Sequence, residues 1–182
     1  RERSAVELAR NVDVVLFDKT GTLTTGEQGV VDIVADNKEG LLAVAAGVEQ
    51  DSEHPIAKAI IAKASDMKIK VKSAGNFSAL SGRGAKAKIG TTTYYVGGPR
   101  LLEEKDLKLN DQLTKATEQA HKNGQTVVYV SDGKEVMGAF MIADTIREES
   151  KSAVESLKKT GKRVAIVTGD SEGVAAWVAS EL

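Results

Sequence analysis

The 182-residue sequence contains no cysteine, only two prolines and two histidines, and 4% aromatic residues. Without cysteine the chain forms neither disulfides nor thiolate metal sites, which excludes a secreted disulfide scaffold. The two histidines, His54 and His121, lie far apart in the sequence, so a metal site built on histidine is not expected. With so few prolines, the chain also carries few markers of interdomain linkers.

An excess of one charge and long apolar runs are also missing. The 25 Lys and Arg residues nearly balance 26 Asp and Glu, for a formal net charge of -1. This balance argues against a nucleic-acid partner bound through its phosphates. The longest uncharged run, Ile89–Pro99, is too short for a transmembrane helix, and the charged first ten residues lack the apolar core of a signal peptide. We therefore expect a soluble, cytosolic fold of one or two domains.

Two short apolar runs rich in β-branched residues, Val12–Phe17 and Arg163–Val167, predict buried strands. The segment before the second strand predicts a helix, with Thr145 and Glu148 at capping-box spacing and Gly161 as its end. Another helix-like stretch follows the second strand. Because helices alternate with buried strands, we expect a doubly wound, Rossmann-like α/β domain with a parallel sheet.

The middle of the chain has a different pattern, that of an α+β module with an antiparallel sheet. A helix is predicted over Asn110–Asn123, and Asp132-Gly133 predicts a hairpin turn. The other predicted elements are Val30–Val34, Glu39–Glu49, Ile56–Ser65, Gly75–Leu80, Ala85–Ile89, Thr92–Val96, Thr126–Val130 and Glu135–Ile142. The simplest organisation is an α/β domain made of residues 1–28 and 141–182, interrupted by the module over residues 29–140.

The strongest motif, Asp18-Lys19-Thr20-Gly21-Thr22-Leu23-Thr24, directly follows the first predicted strand. A carboxylate at the carboxyl end of a buried parallel strand lies where such sheets bind ligands. The threonines offer hydroxyl groups to phosphate oxygens, and Lys19 supplies a cation. These groups suit an Asp18 nucleophile that attacks the γ-phosphate of a nucleotide, with Asp18 and Thr20 as ligands of Mg²⁺. The alternative is a turn in which Asp18 and the threonines only satisfy backbone donors, but seven specified residues make an accidental match improbable.

This heptapeptide is similar to the phosphorylation motif of P-type ATPases, ion pumps that form an aspartyl-phosphate. Ala5–Glu7 and the first strand resemble the segment before that motif, and Thr168-Gly169-Asp170 resembles the family's second phosphate-site motif. Asp144-Thr145-Ile146-Arg147 resembles the family's hinge segment, which implies that Asp144 and Arg147 lie near the nucleotide. The resemblance covers essentially the whole chain. It implies a haloacid-dehalogenase-like phosphorylation domain interrupted by a nucleotide-binding domain.

A second group of residues resembles the nucleotide pocket of heavy-metal-transporting P-type ATPases of the copper type. The group consists of Glu49, Ser52, Glu53, His54, Gly82 and Gly84. The resemblance implies that Glu49 and His54 hold the adenine and that the two glycines let the nucleotide approach the backbone. From the residues alone, Pro55 makes His54 a helix N-cap, and an isolated His-Pro or Gly-x-Gly is more often a helix start or a turn.

Two departures from the family pattern bear on function. Many members carry Asn after a strand-ending glycine, where this chain has Gly98 followed by Pro99, so Gly98 offers only backbone contacts to a nucleotide. The family's later Lys and its Gly-Asp-Gly-x-x-Asp magnesium site would lie beyond Leu182. We therefore expect an incomplete phosphorylation domain, and a chain that binds ATP but turns it over poorly.

Three functions are compatible with these patterns. The favoured one is the catalytic portion of a pump that exports a heavy-metal cation, copper by resemblance, with ATP and Mg²⁺ as cofactors. Its partners would be the transmembrane and actuator domains of the same parent chain, at the cytosolic face of the cell membrane, and the fragment itself is expected to be monomeric. A free-standing phosphatase of the haloacid dehalogenase type normally has a second Asp where this chain has Thr20. The third function is a nucleotide-binding module without catalysis.

Overall fold

A computed structural model describes residues 12–182, so the Ala5–Glu7 stretch lies outside the described residues. A single irregular helical turn, Lys19–Leu23, joins the first two strands. None of the described helices is long and apolar enough to span a membrane. The elements in chain order are β1 (Val14–Asp18), β2 (Thr24–Val34), α1 (Lys38–Glu49), α2 (Pro55–Asp66), β3 (Gly75–Leu80), β4 (Gly84–Ile89), β5 (Thr92–Gly97), α3 (Pro99–Glu104), α4 (Asp111–Lys122), β6 (Thr126–Ser131), β7 (Val136–Ile146), α5 (Glu148–Lys159), β8 (Arg163–Val167) and α6 (Glu172–Glu181).

The chain is divided into two compact units. One contains the chain up to Glu27 together with Asp144–Leu182, and the other is Gln28–Ala143. The chain passes from one unit to the other within β2 and again within β7. The sequence-based boundaries, after residues 28 and 140, lie close to these positions. The expected fold class, an α/β domain interrupted by an α+β insertion, is confirmed.

The first unit is built on a parallel pair of strands. β1 and β8 pair from Val14 opposite Arg163 to Asp18 opposite Val167, as the two apolar runs predicted. Helix α5 precedes β8 and contacts it, which is the alternation expected of a doubly wound unit. Among the described residues this sheet has two strands, and Leu16 on its face is 64% exposed.

The capping box predicted at Thr145 is wrong. Thr145 belongs to β7, and α5 begins at Glu148 after Arg147, which makes no side-chain cap hydrogen bond. The strand continues up to Ile146, so Thr145 lies two residues before the cap position, Arg147, and is still part of the strand. The first turn of α5 instead carries Glu148 and Glu149, whose charges interact favourably with the positive end of the helix dipole.

The second unit is built on a six-stranded sheet in the order β2-β7-β6-β5-β4-β3. The pairs from β3 to β7 are antiparallel, as expected for the module. The predicted hairpin between β6 and β7 is confirmed. Gly133 has φ +89°, a conformation that suits glycine, and Asp132 Oδ1 accepts hydrogen bonds from the N–H groups of Lys134 and Glu135.

Helices cover both faces of this sheet. Successive side chains of a strand point to opposite faces, so the residues of β6 alternate between two apolar cores. Val128 and Val130 pack with residues of α1 and α2, whereas Val127 and Tyr129 pack with residues of α3 and α4. The central strands are therefore buried on both faces. The predicted end residues of α4 are confirmed, with Asn110 Oδ1 accepting from the Leu113 N–H.

Two further elements differ from the sequence expectation. β2 begins at Thr24 rather than at Val30, since its first half is held by hydrogen bonds to distant residues described below. Helix α3 was not predicted, because six residues are too few to show a helical period. It begins at Pro99, whose fixed φ suits the first helical position.

Candidate functional site

The motif residues of the first unit meet at the carboxyl edge of the parallel strands. Asp18 ends β1 opposite Val167, and Thr168, Gly169 and Asp170 follow β8 directly. The sequence had placed both motifs after strands, and the parallel register brings the two strand ends together. Asp18 is exposed, so its carboxylate is accessible to a ligand.

Lys19 is a buried cation at this edge and is paired with two carboxylates. It is 8% exposed, and its Nζ lies 2.6 Å from Asp170 Oδ2 and 3.7 Å from Asp144 Oδ2. A buried ammonium requires such partners, since an unpaired charge is costly to desolvate. Thr168 Oγ1 also donates to Asp170 Oδ2 at 3.0 Å. The hydrogen bonds from Lys19 and Thr168 hold the pKa of Asp170 below its usual value.

Asp144 and Thr24 fasten the end of the motif. Thr24 is fully buried, and its Oγ1 lies 2.6 Å from Asp144 Oδ2 and 3.0 Å from the Lys19 carbonyl oxygen. The other oxygen of Asp144 accepts from the Gly26 N–H at 2.9 Å. Asp144 therefore binds the start of β2 and also balances the charge of Lys19.

Arg147 stabilises the same loop by donating hydrogen bonds to backbone carbonyl groups of the loop. Its Nε donates to the Thr24 carbonyl at 3.1 Å, its Nη2 lies 3.4 Å from the Gly21 carbonyl, and its backbone N–H donates to the Leu23 carbonyl at 3.0 Å. Gly21 has φ +75°, which a residue with a side chain rarely adopts. The loop after Asp18 is thus held in one conformation by backbone and side-chain contacts.

The second unit contains a cavity of about 480 Å³ that brings together most of the predicted nucleotide-binding residues. Its lining includes Glu49, Ser52, His54, Gly82, Gly84 and Gly98. Glu53 does not line the cavity. Asp144 and Arg147 belong to the first unit and contact the motif loop there.

Glu49 is the buried carboxylate of this cavity. It is 5% exposed at the end of α1, and burial raises its pKa, an effect that a hydrogen bond with Ser52 partly offsets. The Ser52 N–H also donates to the Glu49 carbonyl at 2.9 Å. A buried carboxylate beside an open cavity is an acceptor for a polar group of a ligand.

His54 is the N-cap of α2, as predicted, with Pro55 at the first helical position. Its Nδ1 accepts from the Ile56 N–H at 3.2 Å. A neutral imidazole that accepts at Nδ1 carries its proton on Nε2. The ring therefore contributes a donor to the cavity in addition to its flat surface.

The glycines around the cavity differ in whether the backbone packing leaves room for a side chain. A Cβ on Gly84 would lie 2.0 Å from the Val96 carbonyl, and one on Gly97 would lie 1.9 Å from the Arg83 carbonyl. These two glycines, which face each other in the β4–β5 pair, are required by close backbone approach whether or not a ligand binds. At Gly98, by contrast, a Cβ would meet nothing within 4 Å.

Sequence reasoning missed Thr24 as a buried member of the site, and it missed Gly97 and Arg83 at the cavity. Thr24 is the last residue of the heptapeptide, but the motif does not show which of its hydroxyl groups is buried. The Gly97-Gly98 pair was visible in the sequence, but the pair does not show which glycine is required by close backbone approach. Arg83 lies between the two glycines already singled out.

A family model for haloacid dehalogenase-like hydrolases matches residues 12–182. The chain belongs to this family. The matched region includes the whole of β1 and Asp18 at its end.

The relatives also confirm the resemblance to heavy-metal P-type ATPases. The whole chain is 40% identical over 184 residues to copper-exporting P-type ATPase B of Archaeoglobus fulgidus, of which it covers 26%. A zinc-transporting PIB-type ATPase crystallised in the E2P state superposes with a TM-score of 0.79 and 32% identity, over 94% of this chain and 28% of that one. The catalytic domain of the CPx-ATPase CopB-B, studied on nucleotide binding, gives 0.55 and 28%, over 100% of this chain and 62% of that one. The chain thus spans about a quarter of the length of the curated relatives.

Proposed function

We propose that this chain is the ATP-binding catalytic portion of a heavy-metal-exporting P-type ATPase and that Asp18 accepts the γ-phosphoryl group. The observation that carries the proposal is the carboxyl edge of β1 and β8. There an exposed Asp18 is followed in the chain by the buried, paired Lys19 and lies opposite Val167, the residue before Thr168. The names of its relatives support the same class of reaction.

The chemistry follows from the groups at this edge. A carboxylate oxygen of Asp18 forms a bond to the γ-phosphorus, the bond from that phosphorus to the β–γ bridging oxygen breaks, and ADP leaves. Lys19 and Thr168 are the groups that stabilise negative charge on the transferred phosphoryl oxygens. Thr20 stands where the related phosphatases have a general base, so we expect water to attack the aspartyl-phosphate slowly.

Mg²⁺ fits the donor set of this edge as a partial site. Protein sites for Mg²⁺ commonly supply one or two carboxylates, and substrate phosphates and water complete the coordination. Asp18 provides such an exposed carboxylate, with Thr20 beside it; among residues 12–182, no cluster of three or more acidic or histidine side chains is arranged to hold a metal. When bound, Mg²⁺ neutralises charge on the phosphate oxygens.

For the second unit we propose that the cavity binds the nucleotide base. Its volume of about 480 Å³ lies in the range of small-ligand pockets, ~300–1,000 Å³. Glu49 and Ser52 offer acceptors to an exocyclic amino group, and His54 offers a donor and a stacking surface. This arrangement suits adenine, in agreement with the resemblance.

The phosphorylation step is tested by acid quenching after incubation with γ-labelled ATP and Mg²⁺. We expect acid-stable label in the wild-type chain and none in Asp18→Asn, with a low yield, since the chain is expected to turn over ATP poorly. Asp13→Asn is the matched control, because Asp13 is also exposed and precedes the same strand. Label that survives in Asp18→Asn would refute the assignment.

Nucleotide binding is tested by calorimetry with ATP. We expect His54→Gln to weaken ATP binding while the melting temperature stays close to that of the wild type. His121→Gln is the control, since His121 is exposed at the end of α4. An unchanged affinity in His54→Gln would remove this ring from the site.

The cargo and partners of the parent protein are part of the proposal. We propose a copper-type cation as cargo and the transmembrane and actuator domains of the same parent as partners, at the cytosolic face of the membrane. The relatives include copper-exporting and zinc-transporting pumps. The test measures the ATPase activity of the parent protein with added cations. Stimulation by Cu⁺ or Ag⁺ would support copper as cargo. Stimulation by Zn²⁺ or Cd²⁺ and not by Cu⁺ or Ag⁺ would contradict it.

A further inference from the structure

Arg83 is a charged residue of the cavity to which the proposed function gives no role. It lies at the centre of the Gly82-Arg83-Gly84 turn and lines the cavity. Among the described residues that line this cavity, Arg83 carries the only permanent positive charge, since the other side chains are apolar, neutral polar, Glu49 or His54. A single guanidinium in such a lining favours a ligand with an anionic group.

The guanidinium of Arg83 is held by contacts that a ligand can share or replace. Its Nη1 forms an ion pair with Glu104 Oε2 at the end of α3, and its Nε lies 3.4 Å from the Ser81 carbonyl. The side chains of Arg83 and Glu104 are 41% and 45% exposed. Ion pairs exposed to this degree add little to stability, so breaking this one costs little.

Phosphate is a better partner for this group than a carboxylate. It carries more negative charge and presents several oxygens, which match the planar fork of a guanidinium with two parallel hydrogen bonds. A guanidinium has five N–H donors, and the contacts just described use two of them. Arg83 thus lines the cavity and still has three N–H donors to offer.

We propose that Arg83 binds a phosphate group of the nucleotide and that Glu104 is its positioning partner. This inference rests on the proposed nucleotide-binding function and adds the element that distinguishes ATP and ADP from adenosine. Glu104 keeps the guanidinium at the cavity without nucleotide and competes with the phosphate when nucleotide binds. The neighbouring Arg100 does not line the cavity, although its Nη1 lies 3.7 Å from the position of a Cβ on Gly82.

Calorimetric titrations with ATP, ADP and adenosine test this role. In Arg83→Gln we expect the affinity for ATP and ADP to fall about tenfold, the effect of losing a charged hydrogen bond, while the affinity for adenosine is unchanged. Arg83→Lys keeps the charge but loses the fork, so we expect an intermediate affinity for ATP. Lys88→Gln removes one positive charge from an exposed position of β4 outside the cavity, and it should bind all three ligands as the wild type does.

The partner residue provides a second test. Glu104→Gln removes the competing carboxylate, so we expect ATP to bind about two- to fivefold more tightly. The double variant Arg83→Gln/Glu104→Gln should bind ATP as Arg83→Gln alone does, because Glu104 acts through Arg83. If Glu104→Gln fails to tighten ATP binding, or changes it by the same factor whether or not Arg83 is present, the positioning role is overturned.

The outcomes separate this inference from the function on which it rests. If Arg83→Gln leaves ATP affinity unchanged, or lowers ATP and adenosine affinity equally, Arg83 does not bind the phosphate. The proposal that the cavity binds a nucleotide is not affected by that result. If the wild-type chain binds neither ATP nor adenosine, the nucleotide-binding function fails and this inference fails with it. A melting curve for each variant shows that the comparison is made on folded protein.

Discussion

Gly97 and Gly98 are adjacent at the cavity, but the structure predicts opposite results when each is replaced by alanine. A Cβ on Gly97 would lie 1.9 Å from the Arg83 carbonyl and 3.0 Å from Leu101 Cδ2. Real Cβ contacts under 3.0 Å are essentially absent, so β4 and β5 must separate by roughly 1 Å at this point. Because the obstacle is backbone, no side-chain rotation relieves it.

Gly98 has no such obstacle. A Cβ there meets nothing within 4 Å, and its φ of -83° and ψ of -170° suit any residue before a proline. Overpacking costs about 1–3 kcal/mol, and we place Gly97→Ala at about 2–3 kcal/mol because backbone has to move. Gly98→Ala should be neutral or stabilising by about 0.4–1 kcal/mol, since it restricts the unfolded chain.

Thermal melts of the two variants measure this difference. For a chain of this size about 2–4 °C is lost per kcal/mol, so Gly97→Ala should melt about 5–10 °C below the wild type. Gly98→Ala should melt at or slightly above it. Calorimetry with ATP should also show weaker binding for Gly97→Ala, because Arg83 and Gly84 line the cavity. Similar melting temperatures for the two variants would refute the backbone argument.

Three further substitutions test the electrostatics and the buried polar contacts. Burial raises the pKa of Glu49, so the folded chain binds this proton more tightly than the unfolded chain and stability falls as the pH rises above 4.5. In urea melts Glu49→Gln should therefore be more stable than the wild type at about pH 7 and similar at about pH 4; a constant difference would contradict this. The lowered pKa of Asp170 has the opposite sign: its stabilisation is present above 3.8 and is lost as the pH falls through its folded-state pKa. Asp170→Asn should be less stable at neutral pH and should show a flatter acid limb, and an unaltered acid limb would exclude the Lys19 interaction as its cause. Thr24→Val removes a fully buried hydroxyl from Asp144 and should cost about 1–3 kcal/mol in urea melts, whereas the exposed Thr22→Val should change little. Equal losses would mean that the Thr24 hydroxyl is not a structural contact.

Local features of the fold were predictable because their causes lie within a few residues. The β-branched runs gave both parallel strands, His54-Pro55 gave the start of α2, and Asp132-Gly133 gave the hairpin. Thr145 failed because the pairing of β7 extends the strand past a capping signal that was correct only locally. α3 was missed because six residues do not establish a period.

The candidate site was predictable as a set of residues but not as a set of contacts. Asp18 was identified from its place at the end of a predicted strand, and the Thr168 motif from its resemblance to a motif of P-type ATPases. The parallel register then brings them to one edge. Glu49, His54 and Gly98 were identified and do line one cavity. Glu53 was included only through its neighbours in the sequence and lies outside that lining.

The sequence by itself determined the chemistry that is available: a carboxylate, a lysine and hydroxyls after one strand, and a carboxylate and an imidazole around a helix start. Only the tertiary structure decided how these groups are held, because contacts such as Lys19 with Asp170 or Thr24 with Asp144 join residues more than a hundred positions apart. The same holds for Gly97 and Gly98, which are identical as residues. Burial and backbone approach, which arise only when strands pair, make one of them a structural requirement and leave the other open toward the cavity.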